Sequence, residues 1–517
     1  MMILKTSRSN LSSNDQLALD LPFAATKSLA ARVGPTPTFT RGSGATYIGS
    51  DGLIHGIDTS TTSNTIGTGS RTFTLAATAG QDQFWRAGDA VEASNGSNSM
   101  VGTVTSYDAA TQSLVCNMIS TGGSGTFTSW RIGYRGPRFD HTSAGVCRGL
   151  LIEESRTNLS WPSAYTTADL GFGVFPAGST TTTFNQLSSI GPSSNGAVLM
   201  LETATTQVHG GYAGINRASN PAAITIVSGT VYTASIYVKA SGRTRCRFSF
   251  NTPSNIDGIF AAFNLSGDGS ITTNSTTYGS GASAAGLSAS ITKNADGWFR
   301  LKVSGSLTNT SGFITVETLD DSGNRSYLGD VTKGLLITNA QLEAGSFPTS
   351  YIPTTAGSVV RSADVCDITG ANFTSFYNQS EGSLACAYSI PTGFTGNRYA
   401  ASIEDTVGGT QNGFAFRNTN AASSFIAGGG YTSTIGATTT TVDKHILAYS
   451  GLSEFVYVKN SVVGTTTGSG TRNPSLPIRM SIGSLEGSNA FNLCGHISSV
   501  RYYKKRLPNA KLQALTA

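Results

Sequence analysis

Charge is scarce in this sequence. Charged residues make up 12% of the 517 residues, whereas about 25% is usual in soluble proteins. The 34 basic and 29 acidic residues leave a net charge of only +5, and the basic residues form no stripe of the kind that binds nucleic acid. We therefore expect no nucleic-acid partner.

Long hydrophobic runs are also missing. Apolar runs such as Gly334–Ile337 fall far short of the roughly 18 residues that a membrane-spanning helix needs. Residues Met1–Arg8 lack the longer apolar core and small-residue cleavage site of a signal peptide. The sequence predicts neither membrane insertion nor signal-directed secretion.

Cysteine is sparse and unclustered. The chain has six cysteines, and none belongs to a Cys-x-x-Cys pair or to a Cys/His cluster with the spacing of a zinc site. They lie in strand-like contexts such as Leu114–Cys116, where a free thiol behaves as a small hydrophobic side chain. We expect buried free thiols, with disulfides as the alternative, and we expect no metal and no cofactor.

Paired carboxylates suited to glycoside hydrolysis are not found in the C-terminal region. Hydrolysis ordinarily needs two carboxylates about 5–10 Å apart, and two on one strand must share a face. Glu404 and Asp405 are adjacent, so they would point to opposite faces of a strand. Neither a Gly-x-Ser-x-Gly elbow nor a phosphate-binding loop occurs. We expect no enzyme and no catalytic residues, although a Ser–His–Asp triad assembled in space is left open.

Glycine and aromatic residues are plentiful by contrast. There are 61 glycines and 9% aromatic residues, with Val, Ile and Thr throughout. Short runs of this composition between glycine-rich turns are typical of β-strands. The sequence predicts an all-β, multidomain protein in which a small inserted β-barrel or sandwich module is followed by two jelly-roll or lectin-like β-sandwiches.

A set of short motifs runs through the first third of the chain. In order, these are Leu19–Phe23, Gly34–Arg41, Ala45–Tyr47, Asp51–Ile54, Pro137–His141 and Arg148–Leu159. The set resembles a signature of virion-surface proteins of tailed bacteriophages, in which Asp-Gly-Leu-Ile runs almost directly into Pro-Arg-Phe-Asp. The resemblance implies a homotrimeric tail-fibre or head-fibre subunit whose N-terminal region binds other virion proteins of the tail or capsid.

An insertion splits this signature. Residues 60–134 contain five strand-like runs separated by glycine-rich turns, which is the spacing expected of a small barrel or sandwich. Excising them would restore the uninterrupted order of the motifs. We therefore expect residues 45–58 to lie against residues 135–159.

Two further segments resemble known sandwich folds. Thr230–Lys239, Asp296–Arg300 and Gln341–Glu343 are similar to parts of jelly-roll carbohydrate-binding modules, and that match concerns fold rather than ligand. The ending Gly495–Leu512 resembles the last strand and short helix of concanavalin A-like or laminin-G-like sandwiches. The predicted organisation is an N-terminal arm for virion attachment or oligomerisation at 1–59, an inserted β-module at 60–134, the second half of the signature at 135–165, a jelly roll at 166–348, a linker at 349–365 and a concanavalin A-like sandwich at 366–517.

Glycan binding is the activity that these resemblances imply. A sugar ring offers C–H patches and hydroxyls together, so its sites combine exposed aromatic rings with amides, carboxylates or guanidinium groups. The candidate glycan-binding residues are Trp161, Tyr212, His209 and Tyr431, which lie in predicted loops. Such rings more often cover a sandwich edge. Trp298 begins a strand, and we expect it in the core.

Two acidic pairs invite other interpretations. Glu153 and Glu154 lie inside the signature, where we expect ion pairs with Arg148, Arg156 or Arg138. Asp320 and its neighbour precede Ser-Gly-Asn, which predicts a turn, with a calcium loop as the alternative.

The sequence therefore predicts a non-catalytic adhesion protein on the virion surface, made in the host cytoplasm, that binds host-cell glycans. Two alternatives are left open. One is a capsid or tail decoration protein with a purely structural role, and the other is a capsule-polysaccharide depolymerase.

Overall fold

The structure is a computed structural model that describes residues 16–76, 84–166, 171–191, 195–215, 223–252, 257–391, 393–394, 396–404, 414–419, 423–427, 431–435, 442–467, 477–485 and 491–517. Strands dominate these residues, and they pair into several antiparallel sheets. The predicted all-β fold is confirmed. The strands form a small module, a jelly roll and a C-terminal sandwich.

The small module is a six-stranded sheet in the order β5-β12-β8-β9-β10-β7. Its core contains Phe73, Met100, Leu114 and Trp130, each buried. The elements up to its end are β1 Leu17–Leu21, α1 Phe23–Thr26, β2 Thr38–Arg41, β3 Tyr47–Ile48, β4 Ile54–His55, β5 Ile57–Ser60, β6 Asn64–Thr65, β7 Gly69–Thr74, β8 Ala90–Asn95, β9 Asn98–Asp108, β10 Ser113–Gly122, β11 Thr126–Phe127 and β12 Trp130–Tyr134.

The jelly roll packs two sheets face to face. The first has the order β16-β20-β28-β23-β24-β25, and the second has the order β17-β18-β30-β22-β27-β26. The elements from the signature to the end of the jelly roll are β13 Arg138–His141, β14 Cys147–Ile152, β15 Arg156–Asn158, β16 Gly171–Phe175, β17 Thr180–Leu187, β18 Asn195–Glu202, β19 Thr206–Val208, β20 Gly210–Ile215, β21 Ile224–Thr225, β22 Val231–Ser241, β23 Arg245–Asn251, β24 Gly258–Asn264, β25 Ser270–Tyr278, β26 Ala282–Lys293, a 3₁₀ helix Ala295–Gly297, β27 Trp298–Leu307, β28 Ser311–Leu319, β29 Ser326–Leu328 and β30 Gly334–Ala344.

Alternation along β22 shows why these strands bury one face. Ala234, Ile236 and Val238 belong to the apolar core between the two sheets. Thr233 and Ser235 alternate with them and therefore face the other side of the sheet. The jelly roll thus has an outer face on each sheet, and polar side chains lie on both outer faces.

The C-terminal sandwich has one sheet in the order β13-β14-β43-β33-β38-β39-β40 and a second in the order β2-β32-β42-β34-β35-β36-β37-β41. Short helices pack against its sheets, and Leu512 of the last helix packs with Ile446 and Val458. Its elements are β31 Val359–Arg361, β32 Asp364–Thr369, α2 Gly370–Phe376, β33 Glu381–Ser389, β34 Arg398–Glu404, β35 Phe414–Asn418, β36 Ser423–Ala427, β37 Tyr431–Ile435, β38 Asp443–Ser450, β39 Glu454–Lys459, β40 Val462–Val463, β41 Thr465–Thr467, β42 Arg479–Ile482, β43 Gly495–Tyr503 and α3 Asn509–Thr516.

Residues predicted to form an N-terminal arm are strands of this sandwich. β1 pairs antiparallel with β43, and Leu19 and Leu21 are fully buried in the sandwich core. β2 pairs with β32 in the opposite sheet. The segment therefore packs on its own chain, and its role in attachment or trimerisation stays a prediction.

The two halves of the signature lie next to each other, on the side of the small module that faces the rest of the protein. The amide of Ala45 donates to the carbonyl of Tyr134 at 3.0 Å, and the amide of Ile48 donates to Asp140 Oδ1 at 2.6 Å. Gly149 has φ +114°, and a Cβ there would lie 2.1 Å from the carbonyl oxygen of Ile497. The signature needs glycine at this position because β14 runs against β43 with no room for a side chain.

A buried charge cluster ties these parts together. It consists of Arg41, Arg138, Glu153, Arg361 and Asp364. Arg138 donates to Glu153 at 2.8 Å and to Asp364 at 2.5 Å, while Arg41 donates to the other oxygen of Asp364 at 3.0 Å. The predicted pairing of Glu153 with Arg138 is confirmed, and the cluster joins segments that are far apart in the chain.

Two general features complete the fold. Five of the six cysteines are buried and Cys147 is half-buried, and all six are free thiols. Burial raises the pKa of Cys116 and Cys246 to about 12, so these thiols stay protonated at neutral pH. None of the described helices combines the length and hydrophobicity that a membrane crossing requires.

Candidate functional site

The outer face of the first jelly-roll sheet carries a dense set of polar and aromatic side chains. Residues directly opposite one another across paired strands share a face. The register pairs Tyr212 with Thr315, Thr315 with Ser249, and Ser249 with Phe260. The next row pairs Glu317 with Arg247. These side chains therefore lie on one side of the sheet.

Polar residues form the floor of this face. Ser249, Asn251, Thr315 and Glu317 are fully buried, and Arg247 is 3% exposed. Asn251 Nδ2 donates to Thr315 Oγ1 at 2.7 Å, and Arg247 Nη1 donates to a Glu317 oxygen at 3.2 Å. Ser249 Oγ and Arg247 Nε have no hydrogen-bond partner within the described part of the chain.

Aromatic rings form the rim. At one end, Tyr212 lies between Phe175 and Phe313, with both ring centroids 5.1 Å away. At the other end, Phe260 and Tyr278 have ring centroids 5.9 Å apart. We call this set, floor and rim together, the aromatic-rimmed face.

Arg247 links floor and rim. Its guanidinium carbon lies 4.1 Å from the Phe260 ring centroid and 4.9 Å from that of Tyr278. Arg325 forms two 2.7 Å hydrogen bonds to Glu317 from the edge of the face. In the resulting Arg–Glu–Arg arrangement, Glu317 holds the guanidinium groups of Arg247 and Arg325 in place.

The phenols on this face stay protonated at neutral pH. Burial raises the pKa of Tyr278 to about 12, although the charge of Arg247 lowers it. Burial and the charge of Glu317 also raise the pKa of Tyr212. Tyr278 therefore acts as a donor, and its hydroxyl donates to Asn251 Oδ1 at 2.6 Å.

Of the predicted site residues, Tyr212 lies on this face and is half-buried. His209 precedes it by three residues but is fully buried. Its ring nitrogens lie 2.6 Å from the carbonyl oxygen of Ser179 and 3.2 Å from that of Tyr327. His209 is the single residue between β19 and β20, so it lies outside a strand as expected, but a ring enclosed in this way does not reach a sugar at the surface.

The other two candidates lie elsewhere. Trp161 is partly exposed in the segment between β15 and β16, and the neighbouring Ser160 carbonyl accepts a hydrogen bond from Thr354. That contact places Trp161 beside the exit from the jelly roll rather than on the aromatic-rimmed face. Tyr431 begins β37 in the C-terminal sandwich, but its side chain is outside the described residues. The structure does not bring the four candidates together.

The remaining acidic candidates have structural roles. Glu154 forms ion pairs with Arg156 and Arg398, as expected for Arg156. Asp320 Oδ1 accepts the amides of Ser322 at 2.9 Å and Asn324 at 2.7 Å, which confirms the predicted turn. In the part of the chain that the structure describes, no group of three or more His, Cys, Asp and Glu side chains is arranged to hold a metal ion.

Sequence reasoning missed Arg247, Asn251 and Glu317. A signal was present, because Arg247 and Ser249 alternate with Phe248 and Phe250, and that period of two assigns them to the face opposite the core. The pattern does not say which strands are neighbours. The pairing of β23 with β28, which brings Arg247 to Glu317, required the structure.

Comparisons with known proteins identify no family. No protein-family model matches the chain, and no curated protein matches it either. Among solved structures, the CBM40 module of the Ruminococcus gnavus IT-sialidase matches with 16% identity and a TM-score of 0.24, over 27% of this chain and 84% of the module. Domains LG4-5 of the mouse laminin α1 chain match with 9% identity and a TM-score of 0.19, over 54% of this chain and 84% of theirs.

A sialidase from Trypanosoma rangeli matches with 12% identity and a TM-score of 0.25, over 86% of this chain and 81% of the sialidase. Similarity at this level adds nothing to the functional case, which depends on the chain's own residues.

Proposed function

We propose that this protein is a non-catalytic glycan-binding protein and that the aromatic-rimmed face is its binding surface. The observation that carries the proposal is the combination on one sheet of a buried polar floor and half-buried aromatic rings. Tyr212, Phe260 and Tyr278 offer ring surface, and Arg325, whose side chain is 44% exposed beside Glu317, offers a guanidinium group at the edge of the face. A pyranose presents both C–H patches and hydroxyls, so it satisfies both kinds of group.

The biological setting is also a proposal. The motif order from Leu19 to Leu159 resembles virion-surface proteins of tailed bacteriophages, which supports a tail-fibre or head-fibre subunit at the virion surface. Membership of a homotrimer and attachment to other virion proteins follow from the same resemblance. In this setting the jelly roll would contact glycans of the host cell surface.

Substitution of the rim tests the binding surface. The purified full chain is applied to an array of bacterial surface glycans, and dissociation constants are measured for the glycans retained. We expect Tyr212→Ala to weaken binding at least tenfold, about 1.4 kcal/mol, because the ring that a sugar would contact is lost. Tyr107→Ala, which removes a half-buried tyrosine from β9 of the small module, serves as the matched control and should bind like the native chain.

Two results would overturn the proposal. One is an array without any retained glycan while circular dichroism shows folded protein, which would favour a purely structural decoration role. The other is release of reducing ends from a bound polysaccharide, which would establish a depolymerase. Antibody labelling of intact particles would locate the protein at tail tip, tail shaft or capsid, and absence of labelling would contradict the virion setting.

A further inference from the structure

A cavity of about 410 Å³ lies where the jelly roll, the β13–β14 hairpin and the C-terminal sandwich meet. Its walls come from the outer face of the second jelly-roll sheet, from the hairpin and from the first residues of β43. We call it the junction cavity. Its volume falls within the roughly 300–1,000 Å³ of small-molecule sites, and it lies on the opposite side of the jelly roll from the aromatic-rimmed face.

Four cations line this cavity, namely Arg148, Lys293, Arg300 and Lys302. Arg148 is exposed and forms no hydrogen bond or ion pair within the described residues. The Arg300 guanidinium lies 5.5 Å from the Tyr237 ring centroid and donates from Nη2 to Ser235 Oγ at 3.0 Å, while its buried Nε has no partner there. Lys302 is 2% exposed and donates to a hydroxyl and a carbonyl. Arg148, Arg300 and Lys302 form no ion pair with any carboxylate that the structure describes.

The carboxylates lining the cavity are already engaged. Asp140 lies 2.9 Å from His496 Nε2 and accepts the amide of Ile48. Glu153 belongs to the buried charge cluster. Lys293, a further lining residue, pairs with an exposed aspartate. The lining therefore carries three cations without a carboxylate partner, Arg148, Arg300 and Lys302, against Asp140, whose partner His496 is charged only when protonated. The balance is positive, which favours an anionic ligand.

Two buried acceptors point to hydroxyl groups on the same ligand. His141 and Asn294 line the cavity, and each is 7% exposed. His141 Nε2 and Asn294 Oδ1 have no hydrogen-bond partner within the described part of the chain. His141 Nδ1 lies 3.2 Å from the Ile48 carbonyl and must donate to it, and burial lowers the pKa of this histidine. Its Nε2 is then an acceptor at neutral pH.

We infer that the junction cavity binds a sugar residue bearing one anionic group, a carboxylate or a sulfate ester. Arg148 and Arg300 bind the anion, and His141 and Asn294 accept hydrogen bonds from ring hydroxyls. A bare inorganic anion has no donor for these two acceptors, and a neutral sugar leaves the cations unmatched. An acidic sugar meets both requirements, whether or not the aromatic-rimmed face binds glycan.

Calorimetric titration of the full chain tests this site. The probes are glucuronic acid, glucose 6-sulfate, glucose and sodium sulfate, used at equal ionic strength. We expect at least one acidic sugar to bind, with glucose and inorganic sulfate at least tenfold weaker. Binding of glucose equal to that of the acidic sugars, binding of sulfate equal to theirs, or absence of binding at millimolar acidic sugar would each overturn the inference.

Arg148 allows a clean test by substitution, because it has no contact that the fold depends on. Arg148→Gln should weaken acidic-sugar binding about tenfold, and Arg148→Glu should abolish it. Lys505→Gln removes one exposed positive charge far from the cavity and should change nothing. Unchanged affinity in Arg148→Glu would overturn the inference. Tyr212→Ala should leave this binding intact, so failure here is distinct from failure of the glycan-array test.

Discussion

Glu153 is an ionised carboxylate held almost entirely out of water. Burial on its own would raise the pKa of this group, but the charges of Arg361 and Arg138 and two hydrogen bonds from Ser350 outweigh that effect and hold the pKa well below its usual value. Ser350 donates its amide at 2.6 Å and its hydroxyl at 2.7 Å. The cluster is therefore stable only while Glu153 remains charged.

This arrangement predicts a specific dependence of stability on pH. A group with a lowered folded-state pKa stabilises the native protein fully above its ordinary pKa of 4.5. This contribution declines progressively as the pH falls below that value and is lost only once the pH is below the folded-state pKa. Glu153→Gln should be about 3 kcal/mol less stable than the native chain near neutral pH, because it leaves buried arginines uncompensated. The difference should shrink as the pH falls below 4.5.

Urea unfolding at a series of pH values from neutral to acidic measures this difference. Asp268→Asn, which alters a side chain that is 95% exposed, is the control and should follow the native chain throughout. A Glu153→Gln deficit that stays constant down to strongly acidic pH would contradict the assignment.

Individual residues differ in how far the sequence predicted them. The pairing of Glu153 with Arg138 followed from local context, because the signature offers only a few arginines as partners for this glutamate. The burial of Trp298 followed because an aromatic residue at the start of a strand usually packs inward. His209 did not follow, because a His-Gly-Gly run predicts a loop and says nothing about what covers it. Arg148 was one of three arginines considered as partners for Glu153 and Glu154, and it lines the junction cavity instead.

At the level of elements, β1 shows that alternation can predict a strand correctly without predicting which strand pairs with it. Alternating leucines predicted a half-buried strand over residues 17–21, and the structure has that strand. The sequence placed it in an arm because its few apolar residues cannot form a core alone. The core it completes lies nearly five hundred residues away, at Val500–Tyr503, and no local pattern encodes such a pairing.

The placement of β1 has a measurable consequence for β43. Leu21 is fully buried in the C-terminal core, so Leu21→Ala should destabilise that sandwich by about 2–5 kcal/mol. Amide hydrogens of β43 should then exchange faster, because the strand loses a packed neighbour on its edge. Hydrogen exchange followed by mass spectrometry on peptides containing residues 500–503 measures this.

The matched control is Leu187→Ala, which truncates a leucine that is 73% exposed and should leave β43 protection unchanged. Native-like exchange in Leu21→Ala would mean that β1 does not stabilise the sandwich and belongs to an N-terminal arm, as the sequence suggested.

For the whole molecule, the signature acts as a junction. β13 and β14 extend a sheet of the C-terminal sandwich, Asn158 Nδ2 donates to the carbonyls of Ala340 and Ile352 beside the jelly roll, and Arg41 donates to the carbonyl of Tyr134 at the end of the small module. These contacts explain why the motifs occur together. The junction cavity lies beside these contacts, with walls from the jelly roll, the β13–β14 hairpin and the C-terminal sandwich.

Asp364 is the residue on which this junction most depends. It is fully buried and accepts hydrogen bonds from Arg41 and Arg138, and from the amide of Glu153 at 2.8 Å. Removing one partner of a buried ion pair costs about 3–5 kcal/mol, because the remaining charges stay buried. We therefore expect Asp364→Asn to uncouple the jelly roll from the C-terminal sandwich, so that differential scanning calorimetry resolves separate transitions where the native chain unfolds with greater cooperativity.

Asp321→Asn is the matched control, because its ion pair with Arg243 involves an aspartate that is 84% exposed, and it should keep the native profile. If Asp364→Asn also keeps it, the bodies are held by their apolar contacts alone, and the junction cavity should then survive loss of the charge cluster with its affinity for acidic sugar unchanged.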